Sequence, residues 1–328
     1  VLLAVLWQPQ MNAAVTVLLE EPYGYDGVFG GVGHAAVYLS RVCAASLYSL
    51  RRCETGEHGV VISRYNRIGG HDWIAIPVIP YLYAVSSAES IPGYADEKIV
   101  GSLRDRYRHE HLQTIAADGP SGQAPTGSWV QLVGSSYNRT TFTYELETTA
   151  QQDDELIGWL NRGKNRPVYR VVTRNCADFV RDIVNFYYPK AVSRGIVADF
   201  GVMTPKRVAK SISRYSRRHP DLEFVNRVIP QVPGSMRRSK PVHGMAESVF
   251  KSKKYLAPLA FFQPYVAGAF AAAYLVDGRF KTDRKAIVFS LDAGEPPLAA
   301  EEDHVYKGAP GGSAQGLDAL VAAKPIEK

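Results

Sequence analysis

The stretch VYRVVTRNCADFVRDIVNFY, residues 168–187, changes its period at one residue. Residues 168–173 are rich in β-branched and aromatic types, which reads as a strand. From Cys176 onward Phe179, Val180, Ile183, Val184 and Tyr187 recur at helical spacing, so a helix opens at or just before the cysteine and ends before Pro189. A strand running into a helix puts Cys176 in the first helical turn. There the unpaired backbone N–H groups and the helix dipole favour a thiolate.

Upstream, residues 15–19 read as a strand, and the glycine-rich residues 24–33 lead into HAAVYLS, residues 34–40, a short buried strand with His34 at its entry. GVVISRY, residues 59–65, reads as its antiparallel neighbour, and residues 73–78 as a third strand ended by Pro77 and Pro80. Residues 95–115 carry the spacing of an amphipathic helix, with Ile99, Val100, Leu103, Tyr107 and His111 on one side. A Gly/Pro/Ser loop at 118–127 precedes strand candidates at 129–133 and 140–146. A helix at 151–161 then opens with Asp153, Asp154 and Glu155.

With 46% hydrophobic and 21% charged residues, the 328-residue chain can bury one large core or two smaller ones. The net charge of +6 is spread out and lies largely after residue 204, which argues against a nucleic-acid partner. Residues 1–7 are apolar and 12–14 small, as in the end of a secretory signal, so 1–14 are expected to be a truncated signal peptide and the protein exported. In an oxidising compartment Cys43 and Cys53 would pair, leaving Cys176 as the thiol to explain. A scaffold in which Cys176 itself pairs with Cys43 or Cys53 is the redox alternative.

An imidazole beside a helix-terminal thiol is a standard activating pair, and His34 is the candidate base. The N-terminal N–H groups would form an oxyanion hole, to which the neighbouring Asn175 could add its amide. Taken alone, a cysteine on the apolar face of a helix is more often an inert core residue. His109, Glu110 and His111 do not make a metal site, because histidines two apart point to different sides of a helix. No metal or other cofactor is expected. Asn138-Arg139-Thr140 matches a glycosylation sequon by pattern.

Beyond residue 200 the expected character is helical and basic. Thr204 and Pro205 open a helix through 215, and the basic residues 206–218 read as a solvated face near anionic lipid or cell-wall polymer. Residues 229–241 read as a linker. Residues 255–276 carry no charge and are flanked by Lys251, Lys253 and Lys254 on one side and Arg279 and Lys281 on the other. That length suits a membrane span, although Pro258, Gln263 and Pro264 equally suit a buried or membrane-surface segment. The tail 293–328 reads as disordered.

His34-Ala-Ala-Val-Tyr-Leu resembles the H-x-x-x-Y-L strand of the NlpC-type and lecithin retinol acyltransferase-like superfamily. Asn175-Cys176-Ala177-Asp178-Phe179 resembles the N-C-x-x-F motif of its circularly permuted branch, in which histidine precedes cysteine. Phe142-Thr-Tyr-Glu-Leu, the 151 helix, Pro167-Val-Tyr and Asn175-Cys176 with Arg181-Asp182 look like the Lnb-type N-terminal periplasmic domain. The resemblance covers about 15–190. It implies a permuted papain-like α+β fold, an antiparallel sheet packed on the nucleophile helix over 15–200, with the basic helical region read from the residues over 201–292 following it.

The same resemblance implies a thioacyl-enzyme with Cys176 as nucleophile, acting as a periplasmic or outer-side acyltransferase or amide/ester hydrolase on a lipid-linked or peptidoglycan substrate. Such sites take a third polar group from the strand beside the histidine strand, here Ser63 or Asn66; His58 would stand at the far, hairpin end. A noncatalytic cell-envelope module retaining the fold is the alternative.

Overall fold

The structure is a computed structural model and describes residues 13–23, 31–66, 68–119, 122–125, 127–283 and 286–288. The expected leader lies outside these residues up to position 12, whereas Ala13 and Ala14 already belong to the first strand; the tail from 293 also lies outside them. Strand β1 (Ala13–Glu20) is the centre of the architecture. It pairs antiparallel with β2 (His34–Leu39) on one side and β7 (Thr141–Thr148) on the other. Beyond β2 come β5 (Val60–Arg64) and β6 (Trp73–Pro77), and beyond β7 come β8 (Phe224–Ile229) and β9 (Ile287–Val288). All neighbours in this sheet are antiparallel except β8 and β9. A separate hairpin, β3 (Val42–Ser46) and β4 (Ser49–Arg52), carries the Cys43–Cys53 disulfide.

Side chains alternate faces along a strand, so a strand with apolar residues on both faces needs cover on both sides. β1 and β2 are such strands. Val15, Val17 and Leu19 share one apolar cluster with Ala35, Val37 and Leu39, while Leu18, Ala36 and Tyr38 belong to another on the opposite face. The first cluster is completed by α3 (Ala150–Arg162), α4 (Cys176–Tyr187) and α5 (Pro205–Arg218). The second is completed by α1 (Val78–Tyr83) and α2 (Glu97–His111). The result is a mixed α+β, three-layer arrangement with an antiparallel sheet in the middle.

Several expectations are corrected. Residues 129–133 form a 3-10 turn (Ser128–Gln131) and not a strand, because the sheet positions beside β7 are already taken by β1 and β8. Residues 168–173 are irregular apart from a single Arg170–Arg174 bridge and pair with no strand of the sheet. Pro80 does not end a strand but lies inside α1, which starts at Val78. The half-buried β8 went unforeseen, and since it pairs with β7, residues after 200 continue the same sheet.

The basic face of α5 is not solvated as expected. Lys206 bonds Glu247 in the interior, and Arg207, Lys210 and Arg214 converge on Asp277 at 2.9, 2.8 and 3.9 Å. Only at its end do Arg217 and Arg218 stand exposed. Residues 255–276 do not make one helix: α6 (Met245–Phe250) is followed by α7 (Lys253–Phe262), a break at Gln263, α8 (Pro264–Ala273) and a π turn (Tyr274–Gly278). Among the described residues no helix is long and apolar enough to cross a membrane.

Helix α4 buries Phe179, Val180, Ile183 and Val184 against the sheet. Ile183 is fully buried, so Ile183→Ala leaves a cavity and is expected to destabilise the protein by about 2–5 kcal/mol, read as a lower denaturant midpoint at unchanged slope.

Candidate functional site

Asn175 caps α4. Its Oδ1 accepts from the Asp178 N–H at 3.0 Å, and Asp178 returns a carboxylate to the Asn175 N–H at 3.2 Å, a reciprocal capping box. The Asn175 amide donates to Val171 O and Met203 O, each at 2.9 Å. Both of its hydrogens are therefore used, and the expected oxyanion role of its side chain is corrected to a structural one. Asp178 is in turn held by Arg194 and, at 3.3 Å, by Arg181. The cap thus fixes Cys176 as the first helical residue.

Cys176 is buried, with the backbone N–H groups of Ala177 and of Ala35, the residue after His34 in β2, placed to favour its thiolate. Burial pushes the thiol up; the two backbone N–H groups and Arg139 oppose that shift, and Glu20 adds to it. His34 and Cys176 line one cleft of about 310 Å³, together with Gln131, Arg139, Tyr169 and Met245.

The His34 ring is held from two sides. Tyr65 stacks on it with centroids 5.1 Å apart, and its Nε2 lies 2.8 Å from Ser63 Oγ. Ser63 Oγ donates its single hydrogen to Ala35 O at 2.9 Å, so it accepts from His34, which places the ring proton on Nε2. Nδ1 is left with the free lone pair. Ser63, one of the two expected third groups, occupies the orienting position, whereas Asn66 is exposed. His58 is also exposed and borders the disulfide through its carbonyl, 3.7 Å from Cys43 Sγ. Because Cys43 and Cys53 bond to each other, the redox alternative loses its partner for Cys176.

Glu20 and Arg139 were not foreseen. Glu20 stands opposite His34 in the β1–β2 ladder, buried, accepting from Tyr81 Oη at 2.7 Å. Arg139 Nε lies 3.5 Å from Glu20, its Nη1 donates to Glu21 O at 3.0 Å, and its guanidinium sits 4.5 Å from the Tyr23 ring centroid. Burial raises the Glu20 carboxyl, with Arg139 opposing. Glu20 belongs to no short motif and Arg139 only to the sequon pattern; the one available signal was an acid at the end of a mostly apolar strand. The sequon asparagine is buried, with Oδ1 accepting from Arg104 at 2.7 Å. His109 joins a surface network with Asp118 and Gln113.

No protein-family model matches the chain, nor does any curated protein or solved structure. The site therefore stands on its geometry. A capped helix presents a sulfur beside a strand whose histidine is fixed in tautomer and plane by its neighbours, in a cleft large enough for an acyl group. Such an arrangement suits proton transfer from thiol to imidazole during nucleophilic attack.

Burial, and then Arg139, pull the His34 pKa from 6.5 down to about 3, so the imidazole is neutral in the folded protein at ordinary pH. On acidification the unfolded chain binds this proton first. Stability carried by the neutral imidazole is present above about pH 6.5 and is lost as pH falls toward 3. Relative to His34→Gln, the wild type is expected to lose about 1.4 kcal/mol per pH unit across that window in unfolding titrations. A difference between the two proteins that does not change with pH would show the imidazole to be freely hydrated.

Proposed function

We propose that the protein is a cysteine-dependent acyltransferase or amide/ester hydrolase with a circularly permuted papain-like fold. The observation that carries this reading is that Cys176, at the capped start of its helix, and His34, held by Ser63, line the same cleft. Cys176 Sγ attacks the acyl carbonyl while its proton passes to His34 Nδ1. The leaving group takes that proton as it departs, which gives a thioester on Cys176. Water, or an amine or alcohol acceptor, then attacks the thioester with His34 acting again as base. The Cys176 backbone N–H, at the first helical position and without an intrahelical acceptor, is the donor proposed for the oxyanion.

His34 precedes Cys176, and the helix packs on an antiparallel sheet, as the resemblance to the Lnb-type periplasmic domain implies. The disulfide supports an exported, oxidising location. Within that reading the substrate belongs to the cell envelope, either a lipid-linked acyl group or a peptidoglycan peptide. Ser63 is a positioning residue that selects the reactive tautomer.

An acyl-type thiol probe followed by intact-mass measurement tests this. Wild type is expected to form one adduct, mapped to Cys176, and to do so at least about a hundredfold faster than His34→Ala. Cys176→Ala should form none. Labelling no faster than that of a free thiol and indifferent to His34→Ala would leave a noncatalytic module as the reading. Ser63→Ala should slow the adduct about tenfold, corresponding to one lost orienting hydrogen bond of about 1.4 kcal/mol, and Ser63→Thr should restore much of the rate. An unchanged rate in Ser63→Ala would remove the tautomer role while leaving the nucleophile in place.

A further inference from the structure

The segment from Lys251 to Lys281 is built unlike the rest of the protein. Helices α7 and α8 form a hairpin: Phe250, just before α7, stacks on Tyr274, just after α8, at 5.4 Å, and Lys251 lies over the same ring at 5.8 Å. The stem is fastened to the body. Asp277 binds Arg207 and Lys210 of α5, α6 packs on α8, and Phe270 meets Phe200 with centroids 5.1 Å apart.

The far end of the hairpin is apolar and open. Phe261, Phe262 and Tyr265 are 81%, 72% and 93% exposed, and Val266 is exposed with them; Leu275 and Val276, also exposed, lie at the stem end. Aromatic exposure of this kind, clustered at one tip, marks an interaction surface. The charge pattern names the partner. No acidic residue occurs between Glu247 and Asp277, both of which are bound internally. From Lys251 to Lys281 the exposed charges are Lys251, which also pairs with Glu247 at 2.7 Å, Lys253, Lys254, Arg279 and Lys281, all basic, and the exposed Asp283 follows just beyond.

At the break between the two helices Gln263 donates to Leu259 O at 2.8 Å and accepts from the Ala267 N–H at 3.1 Å, while Pro264 has no N–H to satisfy. The ten residues of α7 span about 15 Å, about half of a bilayer's ~30 Å hydrocarbon core. With the aromatic tip in one leaflet, the basic stem lies at the level of the headgroups, where each Lys or Arg is attracted to anionic lipid.

We propose that the α7–α8 hairpin is a monotopic docking element that inserts its Phe261–Phe262–Tyr265 tip into one leaflet of an anionic bilayer, with its basic stem on the headgroups. Met245, at the start of α6, lines the Cys176 cleft, so docking brings that cleft to the bilayer surface. The inference holds whether or not Cys176 reacts.

Flotation of the full chain with vesicles of phosphatidylcholine, with and without phosphatidylglycerol, tests the proposal. Wild type is expected to float with phosphatidylglycerol vesicles, and the triple variant F261S/F262S/Y265S to bind at least about tenfold less. K253E/K254E should reduce binding at low salt, and the difference should shrink at high salt. In Phe262→Trp, tryptophan emission should shift to the blue when these vesicles are added. Unfolding midpoints matching wild type establish that the variants are folded. Equal flotation of wild type and triple variant would overturn the proposal, as would no flotation of either. Self-association of the wild type that disappears in the triple variant, without vesicle binding, would assign the tip to a second copy instead.

Discussion

Everything at the site depends on how α4 buries its apolar face. Phe179, Val180, Ile183 and Val184 have to leave water, and they do so on the side of the sheet where β2 and β5 present Ala35, Val37 and Ile62. Ala35 and Ala177 are both small and fully buried, so the helix start can pack closely on the strand. Hydrophobic burial is non-directional and could not by itself choose this register. The Asn175–Asp178 box and the Asn175 bonds to Val171 and Met203 supply the direction.

The electrostatics follow from the same dryness. Burial alone penalises both thiolate and imidazolium, so the resting pair is a thiol and a neutral imidazole. Arg139 breaks the symmetry, since its charge opposes a proton on His34 and favours one leaving Cys176. Glu20 answers that charge from the neighbouring strand and is itself held by Tyr81. An unpaired guanidinium at this depth would be costly, and the Glu21 carbonyl and the Tyr23 ring complete its environment.

How much was legible in the sequence depended on distance along the chain. The β-branched and aromatic content of 34–40 and 59–65 and the change of period at Cys176 marked two strands and a helix, with His34 as a candidate base, while Ser63, with Asn66 as its alternative, came from what the resemblance implied. Glu20 and Arg139 were not legible, because they meet only through pairing of β1 with β2 and with β7. Residues 168–173 look like a strand by composition but join no sheet, and Val171 and Val172 are instead half exposed at the cleft rim. The strand β8 was hidden by the opposite circumstance: its residues are mixed in polarity because it lies near the sheet's edge, where alternation is weak. The basic run of α5 looked like a surface face because its acidic partners, Glu247 and Asp277, lie far along the chain.

The low proton affinity of His34 has a further consequence for the proposed chemistry. An imidazole that resists protonation is a reluctant base, but once protonated it is an unusually strong acid. A proton taken from the thiol would be passed quickly to whatever group departs, so the site is suited to expelling poor leaving groups such as amines and alkoxides. The same reluctance keeps the resting sulfur protonated. Stray electrophiles would then find it quiet, and its reactivity would appear only when a bound acyl group and its leaving group complete the path for the proton.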